Sequence, residues 1–138
     1  MSLLADIYIS RDDQAVSYDT TPDRFADRAR YKGFTILELS VLWSIMRGIE
    51  WDEASLDLFE CLLEKDGGER LIHRLPAEMV TELSRLSPDQ VAAVSPQWAA
   101  IEELAWPPEA GRPVVEDLVR LSRQATEDCG SVYLWNRA

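Results

Sequence analysis

The chain has 138 residues, 46% of them hydrophobic, a formal net charge of −11 and a pI near 4.4. That length fits one domain over 1–138, large enough to bury a core without disulfides or a structural metal. The negative balance argues against non-specific binding to nucleic acid or anionic membrane. No apolar run approaches the ~20 residues that span a bilayer.

In chain order, Met1 to Ser10 lacks the basic start and apolar run of a secretory signal, so a cytoplasmic protein is expected. Asp6 to Ile9 reads as a short strand with Ile7 and Ile9 on one side. Ser10 can cap a short helix through Asp12, Asp13 and Val16. Thr21-Pro22 is a second helix-start signal. The turn after it, through Arg24, Arg28, Arg30 and Lys32 to Gly33, is the only basic segment of any size.

Thr35 to Glu38 matches a capping box. It opens the most apolar helix, Thr35 to Arg47, with Leu37, Leu39, Val41, Leu42, Trp43, Ile45 and Met46 around its axis. Apolar residues on nearly every side predict burial on nearly every side. Gly48 ends it.

Glu50 to Glu69 holds eight acidic residues and one lysine, so it carries −7 of the chain's −11. Glu53, Asp57, Glu60 and Glu64 fall at i, i+4, i+7 and i+11, one face of a helix capped by Asp52. Leu56, Phe59, Leu62 and Leu63 would form the inner face. Like charges at i,i+4 cost about 0.2–0.5 kcal/mol per pair. That cost makes the stripe a candidate landing surface for a cationic partner. Asp66-Gly67-Gly68 supplies the left-handed residues for a helix exit.

Glu69 to Arg74 reads as a strand. Pro76 opens a helix with Met79, Val80, Leu83 and Leu86 inward. Ser87-Pro88 starts another, with Val91, Val94, Trp98 and Ile101 at helical spacing and Pro96 expected to kink or restart it. Trp106 to Gly111 is a linker. Pro113 opens the last helix, with Val114, Leu118, Leu121 and Ala125 inward. Gly130 ends it, and Ser131 to Trp135 is a final strand.

The succession from Glu69 onward, with Leu75-Pro76-Ala77-Glu78-Met79-Val80, Ser87-Pro88-Asp89 and the closing Val132-Tyr133-Leu134-Trp135, is similar to the YfbM-like family of small bacterial proteins. Trp43 and its apolar helix resemble the buried helix in that family's first half. The resemblance covers about half the chain. It implies an α-rich α+β domain and brings no activity with it.

Catalytic and metal-binding signals are sparse. His73 is the only histidine. As a base it needs a nucleophile in reach, and Cys61 is the nearest in sequence. Cys61 is expected to be a buried free thiol within the acidic helix, and Cys129 a second reduced thiol. Two cysteines and one histidine without C-x-x-C spacing do not make a zinc site. The carboxylates lack calcium-loop spacing, and Asp66 to Glu69 lacks phosphate-loop spacing. No metal or cofactor is expected. Adjacent acids such as Glu102-Glu103 point about 100° apart on a helix and are no glycosidase pair. Trp51 and Trp106 stand beside polar or proline residues, where partly exposed tryptophans serve as contact points.

The expected fold is a predominantly helical α+β domain. Five to seven helices surround Thr35–Arg47, with a small sheet of strands near Ile7, Ile72 and Tyr133. The expected function is a non-enzymatic binding protein that meets a basic protein partner through Glu53, Asp57, Glu60 and Glu64. A neutraliser of a basic toxin or nuclease, or an adaptor, would fit that description. The alternative is a small enzyme whose site involves His73.

Overall fold

A computed structural model of the protein describes residues 3–138. The architecture is α+β. Five antiparallel strands, β1 (Leu4–Ser10), β2 (Arg28–Lys32), β3 (Glu60–Lys65), β4 (Arg70–Arg74) and β5 (Ser131–Arg137), lie in the order β2-β1-β5-β4-β3. The helices are α1 (Asp12–Ala15), α2 (Ile36–Arg47), α3 (Ala77–Ser84), α4 (Pro88–Ala99) and α5 (Gly111–Glu127). Short 3-10 turns join them.

Alternation along the strands divides the molecule into two layers. Ala5, Ile7, Leu75, Val132 and Leu134 face the helices, where they meet Leu39, Leu42, Met79, Leu83, Trp98, Val115, Leu118 and Leu121. Here α5 lies on the sheet against β1, β2 and β5, with α3 and α4 packed on it. Its first residue is a glycine because a Cβ at Gly111 would stand 2.8 Å from the Ser95 carbonyl oxygen of α4.

Among the described residues, the opposite face is covered by residues 11–27. Tyr8, Tyr133, Ile72 and Trp135 point outward from the strands and meet Tyr18, Phe25 and Ala15. Tyr8 stacks on Tyr18 at 4.0 Å, and Phe25 meets both edge-on at 5.2 Å. Three aspartates secure this cover. Asp6 accepts from Tyr18 OH at 2.7 Å. Asp12 accepts from Tyr133 OH and pairs with Arg74. Asp19, its side chain 1% exposed, accepts from Trp135 Nε1 at 2.9 Å and pairs with Arg70 and Lys65.

Several local expectations hold. The Thr35–Glu38 capping box is formed, and α4 starts at Ser87-Pro88, where Ser87 and Gln90 form a second box. Gly48 ends α2 in the left-handed conformation. No α2 residue before Arg47 is exposed. Others need correction. The helix at the centre is α5, which makes the sheet contacts, whereas α2 packs beside α4. Its apolar surround is answered by neighbouring loops and helices, not by a ring of helices. Arg11, not Ser10, is the residue that precedes α1. The helix α4 runs through Pro96, which stands three residues from its end and interrupts little of it. The helix α5 starts at Gly111, two residues ahead of Pro113.

The two larger corrections concern the sheet borders. Beyond Pro22–Arg24, a single 3-10 turn, the basic segment is the edge strand β2. Ala29 and Tyr31 turn to the helices, leaving Arg28, Arg30 and Lys32 on the other side. The acidic helix is not formed. Asp52 does cap, accepting from Ala54 N at 2.9 Å, but only a 3-10 turn over Glu53–Leu58. The chain then enters the opposite edge strand, β3. A helix there would place the like charges in register and send Phe59, Leu62 and Leu63 to one side. The strand sends Phe59 into the helix-side core and Leu62 and Leu63 to the aromatic cluster. Asp66-Gly67-Gly68 is the turn of the β3–β4 hairpin.

Candidate functional site

The segment from Ile49 to Lys65 forms an acidic border with apolar points set in it. The left-handed Gly48 ends α2, and Ile49 N donates back to Ser44 O at 3.1 Å, which starts the segment at a fixed angle. Trp51 Nε1 donates to Ser40 Oγ at 2.8 Å. Ser55 Oγ donates to Asp52 O at 2.7 Å. Phe59, 4% exposed, anchors the far end in the core. Between these fixings Ile49 is 58% exposed, Trp51 39% and Leu58 57%. They are three of the four large apolar residues exposed among the described residues; the fourth is Val16. Glu50, Asp52, Glu53 and Asp57 surround them, all exposed.

The four stripe residues do not share a face. Glu53 and Asp57 sit on the 3-10 turn. Glu60 and Glu64 sit on β3, where the register shifts between Cys61 and Leu63. That irregularity puts them on opposite sides of the strand. Glu60 lies across from Arg74 and binds it, and Glu64 lies across from Leu71. The four belong to one continuous border that includes the sheet's outer edge. No other element bonds to the outer backbone of β3 among the described residues.

His73 faces the helices from β4, directly across from Cys61. It is buried, and its Nδ1 has no hydrogen-bond partner. Burial lowers its pKa below 6.5, against the opposing pull of the Glu64 charge. Cys61 is exposed, as is Cys129; Cys61 is not the core thiol expected of a helix, because an edge strand leaves it at the border. Its Sγ donates to Leu63 O, so no thiol–imidazole pair forms. His73 lines none of five surface cavities, among them a polar one of about 630 Å³ between Arg11, Gln14, Arg24, Phe25 and Asp27. Among the described residues, no three of the His, Cys, Asp and Glu side chains cluster as metal ligands, and no helix is long and apolar enough to cross a membrane.

Comparison with family models, with curated proteins and with solved structures finds no match. The YfbM-like resemblance therefore lends this chain no site.

Proposed function

We propose that the protein is a non-enzymatic binding protein whose acidic border meets a cationic partner. One observation carries the reading: Ile49, Trp51 and Leu58 are exposed within the most acidic stretch, beside the open strand β3. Desolvated apolar anchors supply affinity, and the surrounding charge speeds and selects the encounter. An open strand edge offers backbone hydrogen bonds to an extended segment. A partner with basic side chains on such a segment satisfies all three. An enzyme built on His73 has no comparable support, since the ring is buried away from every cavity described.

The test compares affinity capture by the wild-type protein with capture by a Glu53→Lys, Asp57→Lys variant. Neither carboxylate forms an ion pair among the described residues, so the variant should melt as the wild type does. Glu60 is left alone because it holds Arg74. The wild-type protein should retain a basic partner at low salt and release it as salt rises. The variant should not retain it. Equal capture by both would reduce the border to a solvated surface.

A further inference from the structure

A thiol and an imidazole meet on the helix-facing side of the sheet. Cys61 on β3 lies directly across from His73 on β4. The kind of pair they form follows from the far side of β4. There Leu75 N donates to Val132 O at 2.9 Å, and Ala138 N to Glu69 O at 2.8 Å. Inward bonds recur every second residue of an antiparallel strand. His73, two residues before Leu75, therefore turns its backbone N–H and C=O to Leu134 of β5. That leaves Cys61 and His73 as a non-hydrogen-bonded pair, the kind in which side chains stand closest, with Cβ atoms about 4.5–5.5 Å apart.

His73 is 9% exposed, and its Nδ1 is shut from solvent without a hydrogen-bond partner. An orphaned buried polar atom calls for a physical reason. Burial holds the ring neutral above pH 6.5, so it keeps a lone pair for a metal. Cys61 is exposed, and its Sγ donates only to Leu63 O, at 3.4 Å. Loss of the thiol proton removes that bond and frees the sulfur to turn toward the ring. Glu64 shares the face, across from Leu71, and its negative charge reaches His73.

We infer that Cys61 Sγ and His73 Nδ1 together bind one soft monovalent ion of the copper(I) class. Metal–sulfur and metal–nitrogen bonds of about 2.3 and 2.0 Å bridge side chains at this spacing. Thiolate ligands select soft ions. Zinc sites are built from three or four protein ligands, and no three such side chains gather among the described residues. Copper(I) and silver(I) form linear two-ligand complexes. On binding, the S–H bond breaks, its proton goes to solvent and the sulfur–metal bond forms, with no electron transferred. The ion gives Nδ1 the partner it lacks and offsets the thiolate charge. The site stands whether or not the acidic border meets a partner.

Silver(I), which undergoes no redox change here, is titrated without chloride into the Cys129→Ser protein, where Cys61 is the one thiol. One ion should bind per chain and release one proton. In NMR spectra of the histidine-labelled protein, the Nδ1 resonance should shift on saturation. This readout needs no change at His73. By competition with a chelator, His73→Gln should bind at least as much more weakly as the roughly 10–100-fold that loss of an outer-shell partner costs. The Cys61→Ser protein with Cys129 intact should bind no better than that variant, because Cys129 offers a thiol alone. Copper(I) without oxygen should follow the same order. An unmoved Nδ1 resonance, equal affinity in His73→Gln, or equal affinity at Cys129 would reduce Cys61 to an ordinary thiol and overturn the site. Displacement of silver by equimolar zinc would overturn the choice of ion.

Discussion

The two faces of the sheet are covered by different physics. The helix side is closed by apolar packing, aliphatic and aromatic together, with Leu39, Leu42, Leu83, Leu118 and Trp98 fully buried. The other side is closed by residues 11–27, which bring few aliphatic groups and depend on tyrosine rings and aspartates directed at arginine and indole partners. Apolar packing is non-directional and insensitive to pH. Charge-assisted bonds are directional and titrate. One sheet therefore has one side built for bulk stability and another whose attachment answers to conditions.

The largest expected effect breaks the helix side. Trp98 is fully buried and its Nε1 donates to Glu38 O at 2.8 Å. Trp98→Ala should cost about 3–5 kcal/mol in denaturant melts. A loss under about 1 kcal/mol would mean that the helix-side apolar layer is not the main source of stability. Gly111→Ala comes next. Its new methyl collides with the Ser95 carbonyl, and about 1–3 kcal/mol should be lost as α5 moves off α4. An unchanged melt would show the two helices free to separate.

Asp19→Asn addresses the other face. It keeps the shape and removes the charge that Arg70 and Lys65 meet, for an expected cost of about 1–2 kcal/mol. Hydrogen exchange should rise in residues 11–27 and hold steady in α5. Uniform acceleration across both would erase the distinction drawn between the faces.

The smallest effect is a pH dependence. Burial raises the Asp19 carboxyl, but bonds from Trp135 and Lys65 and the Arg70 and Lys65 charges outweigh it and leave its pKa lowered. His73 is lowered by burial. A group with a depressed folded pKa binds fewer protons folded than unfolded. Its contribution is full above the unfolded pKa and is lost as pH falls through the folded one. Stability should accordingly decline from about pH 6.5 downward through His73, and again below about pH 4 through Asp19. His73→Gln should flatten the first decline and leave the second. An unaltered profile would remove His73 from the account.

Legibility in the sequence followed position in the sheet. The strands near Ile7, Ile72 and Tyr133 are the three interior ones, and their apolar residues made them readable. Both strands that were misread are edges. Edge strands are short and charged, which discourages pairing with other chains. In Arg28–Lys32 that left three cations around Ala29 and Tyr31, which resemble a helix surface. In Glu60–Lys65 the bulge placed Leu62 and Leu63 side by side and the acids at helical spacing, so local pattern favoured the wrong period. The acidic stretch was legible as a charged region. Its exposed Ile49 and Leu58 were not, because nothing in the sequence distinguishes an apolar residue at a fixed loop from one in a core.

The position of β5 has a consequence for how the protein is made. It is the last strand in sequence and the middle strand in space, pairing with β1 on one side and β4 on the other. Before residues 131–137 leave the ribosome, β1–β2 and β3–β4 are separate two-stranded ladders with nothing to join them. Two-stranded ladders are at best marginal in water. A nascent chain therefore presents open inner edges at β1 and β4 as well as the charged outer ones. Those inner edges carry the apolar Ile7 and Ile72 at their middles, with Asp6 on β1 and Arg70 and Arg74 on β4 as their charged residues. Synthesis thus leaves the inner edges of β1 and β4 open longest, the stage at which long-range strand pairing is slow and exposed to aggregation.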